Sequence, residues 1–319
     1  MKDIRISLIA FYILAPVFLA ARIIQQFFLI DPQTGFYVSE YENIASAISW
    51  SFAAVFVILF LLAVFSPKIC VAAPKKSTPL GCGAFALAAA LFFDSSMALV
   101  SSSEGRLSLI VAAAAFISAI CFVWYGLSLV TDVKFPQFMT LFPVIWGLVN
   151  LIAQFMRYTG QSSIADYNIS TVTMCLVLFT LLSHSKLVTG MVSRKETIIM
   201  CGIGLATAFF CLIDTLPTYI ALVMGKANVL IHDKSIASPT ILVMAIYLLI
   251  FIHTLRKADP HKAEPADETD ESEKADADAD MLFSADGETG TADFSTIEAE
   301  LDKFDTLEDI STDGYSENG

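Results

Sequence analysis

An all-α, polytopic membrane bundle of eight transmembrane helices is the fold this sequence predicts, and three observations predict it. The chain of 319 residues is 56% hydrophobic, with a mean hydropathy of +0.67 and 25 phenylalanines. That is more apolar side chain than a soluble domain can bury in one core. Its apolar residues fall into eight runs near the roughly 20 residues that span a bilayer. Finally, one pattern occurs twice, which predicts a 4+4 parallel internal repeat.

The spans are placed at Ile4 to Ile30, Ile44 to Phe65, Leu80 to Val100, Leu107 to Val130, Phe138 to Tyr158, Ile169 to Val188, Ile198 to Met224 and Pro239 to Leu255. The first is too long for a signal-peptide core, carries Arg22 and lacks a small-x-small cleavage site, so it is expected to remain as an anchor. Orientation follows from Lys and Arg at the span ends. With the N-terminus inside, twelve such residues face the cytoplasm, among them Lys68, Lys75, Lys76, Arg194 and Lys195. Four face outward, namely Arg106, Arg157, Lys226 and Lys234. Both termini are therefore expected to be cytoplasmic, in a cell membrane.

The repeat pairs Arg22-Ile23-Ile24-Gln25-Gln26-Phe27 with Asn150-Leu151-Ile152-Ala153-Gln154-Phe155, then Thr34-Gly35 with Thr159-Gly160. It ends by pairing Glu40-Tyr41-Glu42-Asn43-Ile44 with Asp166-Tyr167-Asn168-Ile169. An even number of spans separates the copies, so they face the same way and a pseudo-axis is expected along the membrane normal. The chain then divides into a first membrane repeat at 1–130, a second at 131–257, and a tail at 258–319.

Ionised groups inside a bilayer are costly and usually turn inward toward a partner. Arg22, Asp94 and Asp214 are the three that stand out, all in the outer halves of odd-numbered spans. Arg22 and Gln26 lie four apart, as do Asn150 and Gln154, which puts each pair on one helix face. These six residues are the predicted binding set for a small solute or ion, in a pocket between the repeats. Arg22 is expected to pair with Asp94 or Asp214. Pro217 is expected to break span seven and free carbonyls beside Asp214. The alternative is structural: an Arg–Asp pair, with amides that hold helices together.

The tail carries 21 acidic residues against 3 lysines, a net −18 that leaves the remaining chain at +5. Such a body lacks the concentrated basic surface that nucleic acids require. The tail up to about Ala292 reads as disordered. Beyond it, Phe294, Ile297, Leu301 and Phe304 recur at helical spacing after a Ser-Thr-x-Glu start, predicting a short acidic amphipathic helix over 296–310. That helix suits a basic-rimmed groove on a cytoplasmic protein, so an anchor or scaffold that recruits such a partner is the second functional reading.

No catalytic constellation is present in the sequence, and no enzyme activity is expected. Asp94 and Asp214 lack the tyrosine-Asp and G-x-G-D contexts of intramembrane aspartyl proteases, and Gly202-Ile203-Gly204 reads as helix packing. The six cysteines show no C-x-x-C and no His at ligand spacing, so neither metal nor cofactor is expected. His184, His232, His253 and His261 read as structural or solvated groups near loops.

The turn Asp31-Pro32-Gln33-Thr34-Gly35-Phe36-Tyr37 combines Asp-Pro, Thr-Gly and two interfacial aromatics, which predicts a tight, ordered bend. This stretch resembles one in bacterial multi-pass membrane proteins of Firmicutes type. The resemblance covers one turn and implies a bacterial membrane source, with no activity attached.

Overall fold

The computed structural model describes residues 3–31, 34–65, 76–100, 106–131, 133–158, 165–190, 193–225 and 238–257. Eight α-helices account for most of them: α1 (Asp3–Ile24), α2 (Glu42–Val64), α3 (Thr78–Val100), α4 (Arg106–Val130), α5 (Leu141–Tyr158), α6 (Ala165–Val188), α7 (Arg194–Val223) and α8 (Pro239–Lys257). Helix is the outcome lipid permits, because backbone polar groups must be satisfied within each segment. Seven helices are long and apolar enough to cross a membrane, so the chain is a helical membrane bundle. The apolar part of α8, Pro239–Leu255, is shorter than those seven. The tail residues Phe294, Ile297, Leu301 and Phe304 lie outside the described residues.

Each helix turns one apolar face inward and another to lipid. On α1, Leu8 and Phe11 are buried, while Ile6, Ile9, Ile13 and Val17 are more than half exposed. The bundle is organised around α7, of whose apolar window 72% is buried, against 22% for α2. It packs on α1, α2, α6 and α8. Small residues allow this, since they let backbones approach closely. A Cβ added at Gly202 would come within 3.2 Å of Phe60 and Ala63 on α2, and one at Gly204 within 3.1 Å of Ile252 on α8. The Gly-Ile-Gly motif is thus a packing motif, as its sequence context predicts.

Helices α3 to α8 form a ring in which each packs on the next and α8 returns to α3. The α1–α2 hairpin joins this ring through α7. That arrangement departs from the pseudo-two-fold packing expected of a 4+4 repeat. Helix pairs α1/α2 and α5/α6 do correspond, as do α3/α4 and α7/α8. But α6 packs on α7 whereas its counterpart pair α2/α3 shares no packed face, and α7 holds α1 and α2 whereas α3 does not hold α5 and α6. The small residues explain the difference. On α3 and α4, Gly81 and Gly126 face each other, and a Cβ on either would lie 3.2 Å from the other's carbonyl oxygen. On α3 the tightest approach, at Gly81, is toward α4, with Gly83 against Tyr247 and Ile250 of α8, while α7 offers Gly202 to α2 and Gly204 to α8.

Two local expectations come out differently from each other. The described residues of the Asp31–Tyr37 stretch close on one another, while Pro32 and Gln33 lie outside the described residues: Ile30 and Tyr37 form an antiparallel bridge, the Gly35 amide donates to Asp31 O (2.7 Å) and Thr34 Oγ1 donates to Asp31 Oδ2 (2.9 Å). Gly35 sits at φ 75°, a conformation that side chains disfavour and glycine adopts freely. Pro217, by contrast, does not break span seven. The helix continues through it from Arg194 to Val223, as neighbouring helices commonly allow in membranes.

Candidate functional site

The predicted site residues occupy several helix interfaces. Arg22 is buried, and its guanidinium donates to Gln25 Oε1 at 2.6 Å. The reason is a π-helical turn over Gln25–Leu29, where α1 would otherwise continue. One extra residue in the turn rotates the register, so Gln25 faces the second helix. Its Nε2 donates to Ala45 O (2.8 Å) and Ser49 Oγ (2.9 Å) on α2. Tyr37 from the turn shares a 2.7 Å bond with Ser49. Gln26, the predicted partner on the Arg22 stripe, is also buried. Gln25 is the residue that sequence reasoning missed, because i to i+4 spacing assumes an unbroken α-helix.

The pair Asn150 and Gln154 does share one face of α5, but that face meets α6. Asn150 Nδ2 contacts Met174 Sδ at 3.8 Å, and Gln154 Nε2 donates to Ser170 Oγ at 2.6 Å. Gln154 Oε1 is buried with no hydrogen-bond partner among the described residues.

Asp94 does not pair with Arg22. It accepts from the Ser238 hydroxyl and sits beside the Thr240 amide at the start of α8. There the first N–H groups of a helix lack intrahelical partners and favour an anionic cap. Asp214 is half-buried on α7, one turn after the buried Cys211. Asp94 thus lies against the start of α8, and the Asn150–Gln154 pair against α6.

A different cluster forms where α4, α6 and α8 meet. His184, in the last turn of α6, is buried, and its Nε2 shares a 2.6 Å hydrogen bond with Tyr247 OH of α8. Aromatic rings enclose the imidazole, with Phe251 at 4.7 Å and Tyr125 at 5.5 Å between centroids. The Tyr125 hydroxyl lies near that of Tyr247 but outside hydrogen-bond geometry, so it is a buried hydroxyl with no partner among the described residues. Such groups are rare in native interiors and call for an explanation.

Beside this cluster lies a narrow cleft with room for about one water molecule. Tyr125, Cys121 and Phe122 of α4 line it, with Phe135, Met139, Thr140 and Pro143 from the approach to α5 and His184 and Val188 from α6. Ser185 donates to Thr140 Oγ1 (2.8 Å), and Gln137 Nε2 to Thr189 O (3.3 Å), which tie the two sides together. The sequence reading had set His184 aside as a residue near a loop. Part of this was legible, since Tyr125 and His184 sit five and four residues before the ends of α4 and α6, but Tyr247 lies ten before the end of α8 and carries no such signal.

Comparison of the chain with protein-family models, with curated proteins and with solved structures gives no match.

Proposed function

We propose that this chain is an eight-span membrane protein, both termini cytoplasmic, that binds or transports a small solute or ion through the cleft at His184. One observation carries the reading: the buried Tyr125 hydroxyl, without a hydrogen-bond partner among the described residues, lines the same cleft as His184, which bonds Tyr247 through Nε2. An unmet hydroxyl and an imidazole converging on one apolar-walled space are what a small-ligand site requires. The cleft also lies where residues 1–130 meet residues 131–257, since α4 supplies one wall and α6 with the approach to α5 the other. That position favours a site at the junction of the two sequence halves, with different residues. Arg22, Gln26, Asp94, Asn150, Gln154 and Asp214 then serve mainly to hold helices together.

The positive-inside count places the cleft near the cytoplasmic face of the bilayer, and the Asp-Pro-x-Thr-Gly-Phe-Tyr turn supports a bacterial plasma membrane. A thermal-shift screen of the detergent-purified protein against metabolites and ions tests the proposal. A true ligand stabilises by about 2.7 kcal/mol at a hundred times its Kd. Loss of the Tyr125 hydroxyl in Tyr125→Phe is expected to weaken binding about tenfold, the worth of one good hydrogen bond. A screen in which every hit is equally strong in Tyr125→Phe and His184→Gln would sink the cleft.

The scaffold reading rests on the amphipathic pattern at Phe294, Ile297, Leu301 and Phe304. Deleting residues 294–319 separates the two: a scaffold loses its cytoplasmic partner, and a solute site keeps its ligand.

A further inference from the structure

We propose that the cleft takes one soft monovalent metal ion, Cu(I) or its analogue Ag(I), held by Cys121 Sγ, Met139 Sδ and His184 Nδ1. The proposal rests on the cleft reading above and names the class of ion. Three separate elements bring these residues to the lining of one space: Cys121 from α4, Met139 from the short 3₁₀ turn Gln137–Thr140 before α5, and His184 from the last turn of α6. The space is about the size of a single water molecule, which suits a bare ion better than an organic solute.

The donor chemistry selects the metal. Thiolate and thioether sulfur prefer Cu(I), while carboxylate-rich sets prefer hard cations. Among the described residues no three His, Cys, Asp or Glu side chains come together in a group that could hold a metal, so a site for a harder divalent ion is not built. The third donor here is a thioether, which divalent zinc does not favour.

Charge points the same way. Cys121 is buried and not in a disulfide. One thiolate with one monovalent cation is a neutral pair, whereas a divalent ion would leave a net charge in the low-dielectric interior. On binding, the Cys121 S–H bond breaks, an S–Cu bond forms and the proton leaves to solvent, with no change of oxidation state.

The bond from His184 Nε2 to Tyr247 OH supplies the remaining requirement. A metal-binding imidazole is normally oriented by a partner at its other nitrogen. In the tautomer whose Nε2–H donates to Tyr247 OH, the Nδ1 lone pair is left for the ion.

The test is an anaerobic competition of the full-length, detergent-purified protein against the Cu(I)–bicinchoninate complex. The wild-type chain is expected to withdraw one equivalent, with Ag(I) competing and Zn(II) not. Cys121→Ser and the volume-conserving Met139→Leu are each expected to weaken uptake at least tenfold, while Cys82→Ser, at an exposed thiol, leaves it unchanged. Uptake unaltered in both Cys121→Ser and Met139→Leu overturns the proposal, as does no uptake at all. If Cys121→Ser fails to fold, Met139→Leu decides alone. A solute that needs Tyr125 and His184 in the thermal-shift screen, found alongside absent copper uptake, retires the metal and leaves the cleft standing.

Discussion

The α1–α2 and α5–α6 hairpins carry similar sequence motifs and are cross-linked at matching places, yet the first makes the richer set of polar contacts. In each, an amide near the end of the first helix reaches the opening turns of the second. Gln25 reaches Ala45 and Ser49; Gln154 reaches Ser170, and Asn150 reaches Met174. When Ile44 is aligned with Ile169, Ala45 falls on Ser170 and Ser49 on Met174, so the contacts land at matching places. The first hairpin adds Arg22 and Tyr37 to the network. The second leaves Gln154 Oε1 buried without a partner among the described residues and offers Asn150 only a long contact to sulfur. A π-turn in one copy and an unbroken helix in the other account for the difference. The extra residue rotates Gln25 toward α2 and stacks it on Arg22.

Substitutions break or sharpen this contrast, and thermal or denaturant unfolding in detergent measures each. Gln25→Leu has the largest expected effect, a loss of about 3 kcal/mol. It strips a bond from the buried guanidinium and leaves the Ser49 hydroxyl and the Ala45 carbonyl short of a donor. Ser49→Ala removes one acceptor from a network that keeps its other members, so about 1 kcal/mol is expected. Gln154→Met, which matches volume, is expected to change stability by less than about 0.5 kcal/mol. It exchanges one hydrogen bond for the removal of an unmet buried oxygen. If Gln154→Met costs as much as Gln25→Leu, the hairpins are equally locked and the contrast is wrong.

How far the site could be read from sequence depended on what each residue's signal encoded. Arg22, Asp94, Asn150 and Gln154 were found because charge and amides are conspicuous against apolar spans. Their partners were not found, because helical spacing says which face a residue occupies and not which helix lies opposite. Asp94 looked like a partner for arginine and is the cap of α8. Pro217 looked like a break and is tolerated inside α7. His184 looked like a residue beside a loop, and is buried only because Tyr125, Tyr247 and Phe251 from other helices close around it.

The sequence by itself determined that this chain lies in a membrane as helices, where they run, and how the Asp31–Tyr37 turn closes. Those outcomes follow from local rules: lipid leaves backbone groups no partner outside their own segment, and Gly35 takes the positive φ of the turn. Tertiary structure alone decided that α7 is the hub, that the halves pack differently, that Gln25 and not Gln26 crosses to α2, and that a histidine from α6 meets two tyrosines. Each depends on which small residues let which helices approach, and that is a property of pairs of surfaces that no single segment carries.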